Sequence, residues 1–355
     1  MSVPQKHRAA YIHAIGEAPR ISERTLGKLD PNEIAIKITA TAINPIDWKL
    51  RDHGLFLVPN WHHPAILGSD GSGTVAAVGD DVSNFSVGER VFFQASYGND
   101  DVSTFQEYIK LPAEIVAKTP KNISDEEAAG IVLATHAAAT AFYHNTGQGL
   151  KAPWDEGGSE VGKGKAIVIL GGSSSVGQYA IQLARLSGFE RIVTNASTAH
   201  HDFLKELGAH VVLDRNSSGV EDFQKALEGF PLEFVFDSIS VKQTQLLGVK
   251  VLQSKTTKNS KLVIVLQVDE EAKKLGESKE PQVAVQLVLG LALAPHSRYL
   301  ITALTDNLGG EDGWIATGKF KPNHVEVTKG GLEKLQEGLE KNKAGVSGVK
   351  VVVQY

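Results

Sequence analysis

The chain has 355 residues, 42% of them hydrophobic and 22% charged, with a net charge of −5: long enough for two domains, apolar enough to fold, and without the basic excess that attracts a phosphate backbone. Its lysines are scattered among acids apart from tracts such as Lys255 to Lys261, so nucleic acid is not an expected partner. The lack of cysteine excludes disulfides, thiolate metal sites and a catalytic thiol; with no apolar run of the ~18 residues that span a bilayer and a polar Met1 to Arg8, a cytoplasmic protein with no membrane partner is expected.

Residues 1–126 read as strands and turns. Glu33 to Ala42 alternates Ile34, Ile36 and Ile38 with Lys37 and Thr39, the period-two signature of a half-buried strand. Gly68, Gly71, Gly73, Gly79 and Gly88 punctuate short runs such as Thr74 to Val78 and Arg90 to Phe93, as in a small, sharply turning barrel. Helix is predicted from Ser124, a capping residue with Glu127 three positions on, through the Ala-rich stretch to Tyr143. From Lys165 the rhythm changes to short continuous apolar runs: Ala166 to Leu170, Arg191 to Thr194, His210 to Leu213, Phe234 to Phe236, Leu262 to Leu266 and Tyr299 to Leu304. Continuous apolarity implies strands covered on both faces, so these predict a doubly wound parallel sheet in an α/β fold. Val176, Ala180, Leu183 and Ala184 mark one face of the first intervening helix, which Gly188 ends; Phe203, Leu204 and Leu207 repeat the pattern before Gly208.

Two segments, Lys151 to Gly164 and Asp269 to Glu280, carry the charge mixture of solvated surface insertions. The most apolar stretch, Val283 to Leu293, has the length of a buried helix or an oligomer contact. After residue 308 strand and turn character returns and closes with Val349 to Val353. The expected organisation is a mostly β domain over 1–126, an α/β domain over 127–308, and a return of 309–355 to the first.

The segment Ile167 to Gln178 runs from an apolar strand through a glycine-serine turn into a helix. Gly171 and Gly172 permit the tight turn, Gly177 lets the helix approach the sheet, and the first-turn N–H groups around Ser173, Ser174, Ser175 and Val176 suit a pyrophosphate. Ser174 stands where a middle glycine often sits, and its side chain is small enough for close backbone approach. NAD enzymes place an acid at the end of the second strand to hold the ribose 2′-hydroxyl. Here Thr194 to His201 contains none before Asp202, whereas Asn195, Ser197, Thr198 and His200 can donate to a 2′-phosphate, so NADPH is the expected cofactor. The alternative for Ser197 or Thr198 is a helix cap, and for His200 an exposed surface position. Asp237-Ser238 and Val265-Leu266-Gln267 end later strands of the sheet, where such sheets bind ligands. His62-His63 and His200-His201 are poor metal sites, since neighbours in extended chain point apart, and no metal is expected.

These segments, with Asn44-Pro45-Ile46-Asp47-Trp48-Lys49, Gly88-Glu89-Arg90-Val91-Phe92, Phe105-Gln106-Glu107-Tyr108 and the tail from Gly330-Gly331-Leu332 to Val351, resemble the medium-chain dehydrogenase/reductase superfamily nearly end to end. The likeness is strongest to its quinone-oxidoreductase and enoyl-reductase branch, fungal trans-acting enoyl reductases included. It implies a Rossmann cofactor domain and a GroES-like, mostly β catalytic domain. Where zinc alcohol dehydrogenases of the superfamily carry Gly-His-Glu, this chain has Gly68-Ser69-Asp70, and Asn44 stands in place of the first cysteine ligand. A tetrahedral zinc site cannot assemble from these residues. The resemblance therefore implies a zinc-independent reductase delivering hydride to a carbon-carbon double bond conjugated to a carbonyl, or to a quinone, with hydrogen-bond donors for the resulting enolate. It puts Asn44 beside the nicotinamide and its ribose and Thr140 near the carboxamide. Lys49 is the candidate for a substrate carbonyl or a cofactor phosphate, and Trp48 or Tyr97 for the substrate wall; ordinary surface and core roles remain open for each. Asp47 is expected to orient the Asn-Pro turn. A homodimer, a monomer and a polyketide synthase partner are all compatible with the resemblance, as is cofactor binding without turnover.

Overall fold

The computed structural model describes residues 3–54, 63–255 and 261–355. The chain divides into two compact units, Met1–Leu133 with Leu291–Tyr355, and Ala134–Gly290. In the first segment come strands β1 (His7–Ile12), β2 (Arg20–Arg24) and β3 (Glu33–Ala42), helix α1 (Pro45–His53), and strands β4 (Ala65–Ile66), β5 (Asp70–Val78), β6 (Arg90–Gln94), β7 (Tyr108–Pro112) and β8 (Val116–Lys118). Helices α2 (Asp125–Ala128) and α3 (Val132–Tyr143) follow.

The alternation read in β3 is real: Ile34, Ile36 and Ile38 are buried, and the strand pairs antiparallel with both β5 and β7. Its register against β5 shifts between Ile38 and Ala40. Close by, Gly73 faces the Lys37 carbonyl so tightly that an added Cβ would lie 2.2 Å from the oxygen, so the close strand approach requires glycine. Ser124 and Glu127 form the expected reciprocal cap, the Ser124 N–H donating to Glu127 Oε2 at 2.8 Å and the Glu127 N–H to Ser124 Oγ at 3.2 Å. The predicted helix from Ser124 to Tyr143 is nevertheless broken between Ala128 and Val132, around Gly130.

The second unit alternates strand and helix: β9 (Ala166–Leu170), α4 (Ser175–Leu186), β10 (Arg191–Ala196), α5 (His201–Leu207), β11 (Val211–Asp214), α6 (Val220–Ala226), β12 (Leu232–Asp237), α7 (Lys242–Gln253), β13 (Lys261–Ile264), α8 (Glu270–Glu277) and β14 (Ala284–Leu287). Among the described residues its sheet runs β11-β10-β9-β12-β13-β14, with every pairing parallel. That is the doubly wound order in which strand direction of travel reverses between β9 and β12, the switch point where such sheets bind nucleotides. The core beneath it packs Val168, Leu170, Val193, Val235 and Leu262 against Phe223, Val249 and Leu252 from the helices.

The chain then returns to the first unit through α9 (Arg298–Leu308), β15 (His324–Lys329), α10 (Leu335–Ala344) and β16 (Val349–Gln354). β15 and β16 are parallel, and β16 joins β3 antiparallel, extending the sheet to β15-β16-β3-β5-β6-β8.

Several expectations change. Tyr299 to Leu304 is helix α9 rather than a sixth strand: Leu300, Ile301, Leu304 and Leu308 are buried while Tyr299 is 60% exposed, a helical period. The sixth strand is β14, inside the apolar Val283 to Leu293 stretch. Asp269 to Glu280 is mostly helix α8, started by Asp269, whose carboxylate accepts the N–H groups of Glu271 and Ala272 at 3.0 Å. Lys151 to Gly164 is turns around one 3-10 helix, Gly158–Glu160, and Trp154 packs edge-on to Tyr143 with centroids 5.4 Å apart. His62 and Lys258 lie outside the described residues.

Candidate active site

The turn after β9 is built as its composition requires. Gly171 has φ +80, and an added Cβ on Gly177 would lie 2.3 Å from the Gly171 carbonyl oxygen, so only glycine lets α4 start this close to the strand end. Ser174 is the N-cap of α4, its Oγ accepting the Gly177 N–H at 2.9 Å. The same hydroxyl lies 2.9 Å from Ser238 Oγ, which in turn donates to the Leu170 carbonyl at 2.7 Å. Ser174 is thus more than a tolerated small residue: it closes the helix and ties the loop to the end of β12. Gln178 Nε2 donates to the Ser173 carbonyl at 2.9 Å, a contact that sequence reasoning missed. Ser173, Ser175 and Val176 are half-buried at the opening of the helix.

The end of β10 is joined to this loop. Asn195 Oδ1 accepts the Gly171 N–H at 2.9 Å, and the Asn195 carbonyl accepts the Gly172 N–H at 3.1 Å. The amide oxygen is therefore committed to the loop, and its NH2 group remains the donor end. Ser197 precedes a short 3-10 turn, Thr198–His200, without using its hydroxyl to cap it; Thr198 is exposed and His200 half-buried. His201 lies with Nε2 3.3 Å from the Ala196 carbonyl. At the end of β12, Asp237 Oδ1 accepts the N–H groups of Ile239 and Ser240 at 3.0 and 2.8 Å, and burial pushes this carboxyl above its usual range. Ser240 Oγ accepts the Val265 N–H at 2.9 Å, and Gln245 Nε2 bridges the carbonyls of Ser240 and Gln267. Leu266 between them is 37% exposed. The three predicted strand ends of this sheet are thereby linked into one framework of hydrogen bonds within the second unit.

The first unit assembles a second group. Asn44 ends the segment after β3 and is the N-cap of α1; its backbone N–H donates to Asp47 Oδ2 at 2.7 Å, confirming that Asp47 orients the Asn-Pro turn. Tyr97 donates its hydroxyl to Asp47 Oδ1 at 2.8 Å and lies 2.5 Å from Ser69 Oγ. Tyr97 has one proton and gives it to the carboxylate, so Ser69 is the donor to Tyr97. The Asn44 side chain faces Lys350, whose Nζ donates to Oδ1 at 2.5 Å, while Nδ2 lies 3.4 Å from both the Ala42 carbonyl and Asp70 Oδ2. Asp70 also accepts the Leu133 N–H at 3.3 Å. Burial drives the Asp47 carboxyl up to about 7, against the opposing pull of its bonds from Asn44 and Tyr97, and Asp70 up to about 6, against the pull of Lys350.

Lys49 is half-buried with its Nζ 5.5 Å from the Trp48 ring centroid, and burial lowers the ammonium's pKa. Trp48 Nε1 donates to Asn342 Oδ1 at 3.1 Å. Thr140, in the second unit, donates to the His136 carbonyl at 2.7 Å and is buried in its helix. Asn44, Trp48 and Lys49 thus share α1 and its cap, and residues 171–177 share one framework with Asn195, Ser238 and the Val265–Gln267 strand end, whereas the hydroxyls of Ser197 and Thr198 are not drawn into it. Lys350 was not singled out from sequence, although a lysine within a valine-rich strand is a signal of a buried partner. Among the described residues no group of three His, Asp or Glu side chains is placed to hold a metal ion, and no helix is long and apolar enough to cross a membrane.

Comparison with known proteins places this architecture. An alcohol dehydrogenase GroES-like domain model matches residues 30–121 and a zinc-binding dehydrogenase model residues 175–259. The chain is 34% identical to the trans-enoyl reductase himH of Aspergillus japonicus over 91% of this chain and 89% of that protein. It is 31% identical to the trans-enoyl reductase tndF of Aspergillus flavipes over 98% and 99%. The same fold occurs in the quinone oxidoreductase from Coxiella burnetii, with TM-score 0.73, 22% identity and 99% of both chains covered. An alcohol dehydrogenase superfamily protein from Novosphingobium aromaticivorans superposes with TM-score 0.80 at 19% identity, covering 98% of this chain and 99% of its own. By its matches over nearly the whole length, the chain belongs to the medium-chain dehydrogenase/reductase superfamily of nicotinamide-dependent oxidoreductases, on its enoyl reductase branch.

Proposed function

We propose that the protein is an NADPH-dependent reductase of an activated carbon-carbon double bond, an enone or an enoyl thioester, or of a quinone. The observation that carries the cofactor reading is the end of β10: no carboxylate lies between Thr194 and His201, Asn195 offers only its NH2 end once Oδ1 is tied to Gly171, and the Ser197 hydroxyl is not spent on a cap. A 2′-phosphate would find donors there and no like charge. Gly171 to Gly177, with Ser174 capping α4, is proposed to hold the pyrophosphate. The strand-end residues Asp237-Ser238 and Val265-Leu266-Gln267 are proposed to border the rest of the nucleotide.

When bound, the nicotinamide supplies the hydride. On the protein side, Asn44 is proposed to border the nicotinamide and its ribose, and Thr140 the carboxamide through its oxygen, its proton being given to His136. Lys49 is proposed to donate to the substrate carbonyl oxygen as negative charge develops on it, an interaction worth more in a dry site than in water. Its half-buried ammonium beside Trp48 suits that task. With Ser69, Asp70 and Asn44 at the positions of the zinc ligands in metal-dependent relatives, the residues present offer no thiolate or imidazole to a Lewis acid, which favours double-bond reduction over alcohol oxidation.

The relatives named trans-enoyl reductases favour a second reading, in which the chain reduces acyl groups carried by a polyketide synthase in trans. Steady-state oxidation of NADPH with enones, quinones, free enoyl thioesters and carrier-bound enoyl chains tests both. Turnover of diffusible enones or enoyl thioesters supports the first; turnover of carrier-bound chains alone supports the second. Nucleotide binding without turnover on any of them would mark a cofactor-binding protein and overturn both.

A further inference from the structure

The first unit holds a buried ammonium that the proposed reaction leaves without a task. Lys350, on β16, is 4% exposed. Its stem runs against Gly130, where an added Cβ would meet Cγ at 2.7 Å and Cε at 3.2 Å, so the break between α2 and α3 makes room for this side chain. The ammonium reaches Asn44 Oδ1 at 2.5 Å and Asp70 Oδ2 at 3.4 Å.

A primary amide fits its site in two orientations that exchange oxygen and NH2 with almost no change of shape, and only the hydrogen-bond partners tell them apart. An ammonium has donors alone; a carbonyl and a carboxylate have acceptors alone. With Lys350 at the Asn44 Oδ1 atom and the Ala42 carbonyl and Asp70 at Nδ2, one orientation satisfies every group. The reverse would set NH2 against an ammonium and oxygen against two acceptors, in a buried place where screening is weak. The backbone of Asn44 is held separately, by Asp47. Orientation of the amide can therefore be lost without losing the start of α1.

We propose that Lys350 is a positioning residue: its ammonium locks the Asn44 amide with the oxygen turned to β16, and so fixes which edge of that amide meets the nicotinamide end of the bound nucleotide. The proposal rests on the reading that Asn44 borders the nicotinamide. It assigns Lys350 no contact with substrate or nucleotide.

Two variants release the lock in different ways. Lys350→Met combined with Asp70→Asn removes both charges and leaves no lone buried carboxylate; Gly130→Ala keeps every charge and displaces the lysine stem. For each, the thermal midpoint is measured, then affinity for NADPH and for adenosine 2′,5′-bisphosphate by fluorescence titration, then kcat and KM on the best enone. The bisphosphate carries no nicotinamide, so its affinity is expected to stay within about twofold of wild type while NADPH binds several-fold more weakly and kcat falls about tenfold. Lys350→Arg, which keeps the donors, is expected to retain most of the NADPH affinity. Equal weakening of both nucleotides, or folded variants with wild-type NADPH affinity and kcat, would overturn the proposal while leaving the cofactor reading intact. A wild-type chain that binds neither nucleotide would remove the cofactor reading, and this proposal with it.

Discussion

The turn after β9 and the cluster around Asn44 solve the problem of a buried polar site in opposite ways. The turn uses backbone groups and neutral side chains, Ser174, Ser238, Asn195 and Thr194, every one of them bonded to another part of the same framework. The cluster concentrates charge instead: Asp47, Asp70 and Lys350 are all buried, held together by Asn44, Tyr97 and Ser69. A neutral framework fails when its space is taken, because a Cβ has nowhere to go. A charged one fails when a counter-charge is removed, because the desolvation of the charge left behind then goes uncompensated.

The largest effect is expected where one charge is left alone. Lys350→Met by itself strands the Asp70 carboxylate and should cost about 3 to 5 kcal/mol in denaturant unfolding at pH 8, most of it recovered by adding Asp70→Asn. Recovery of none of it would mean that the lysine matters by its stem packing alone. On the neutral side, Gly177→Val forces side-chain atoms against the Gly171 carbonyl and should cost about 1 to 3 kcal/mol while abolishing nucleotide binding. The contrast is sharpened by pH: the Gly177→Val loss should be the same at pH 5.5 and pH 8, and a pH-dependent loss would break the distinction between the two sites.

The same contrast governs what could be read from the chain. The strand-turn-helix from Ile167 to Gln178 is dictated by neighbours in sequence, so its glycines and Ser174 are legible from the chain alone. β9 to β13 were likewise legible as continuous apolar runs. β14 was not, because as an edge strand it mixes Val285 and Leu287 with Ala284 and Gln286, while α9 offered a denser apolar run that fits either period. The charged cluster was half legible: Asn44, Asp47, Ser69, Asp70 and Tyr97 drew attention one by one, with Tyr97 read as a substrate wall. Its centre was not, since Lys350 reaches Asn44 across 306 positions of sequence. No local period encodes such a meeting; only the return of β16 beside β3 brings it about.

Protonation gives a finer probe of the charged site. Asp47 and Asp70 have folded pKa values raised to about 7 and about 6, above their ordinary carboxylate value. Between the unfolded and folded values the native state binds more protons than the unfolded chain, so these groups make stability fall as pH rises from about 4 to about 7. Asp47→Asn should flatten the upper part of that decline by on the order of 1 to 2 kcal/mol, read from urea unfolding at a series of pH values. An unchanged slope would place the titration elsewhere, with Tyr97, Lys350 and Asp70 as the groups that face Asp47.

The smallest expected effect tests the neutral site for selectivity rather than strength. Ser197→Asp puts a carboxylate where the β10 end has none, and its charge should repel a 2′-phosphate while leaving a 2′-hydroxyl free to donate to it. NADPH should then weaken about tenfold relative to NADH in a binding titration, roughly 1.4 kcal/mol of discrimination. Asn195→Asp is the stringent companion, because an aspartate there still accepts the Gly171 N–H and preserves the turn while replacing the donor end with charge. If both variants weaken the two nucleotides equally, neither residue faces the 2′ position, and the lack of an acid after β10 has no bearing on cofactor choice.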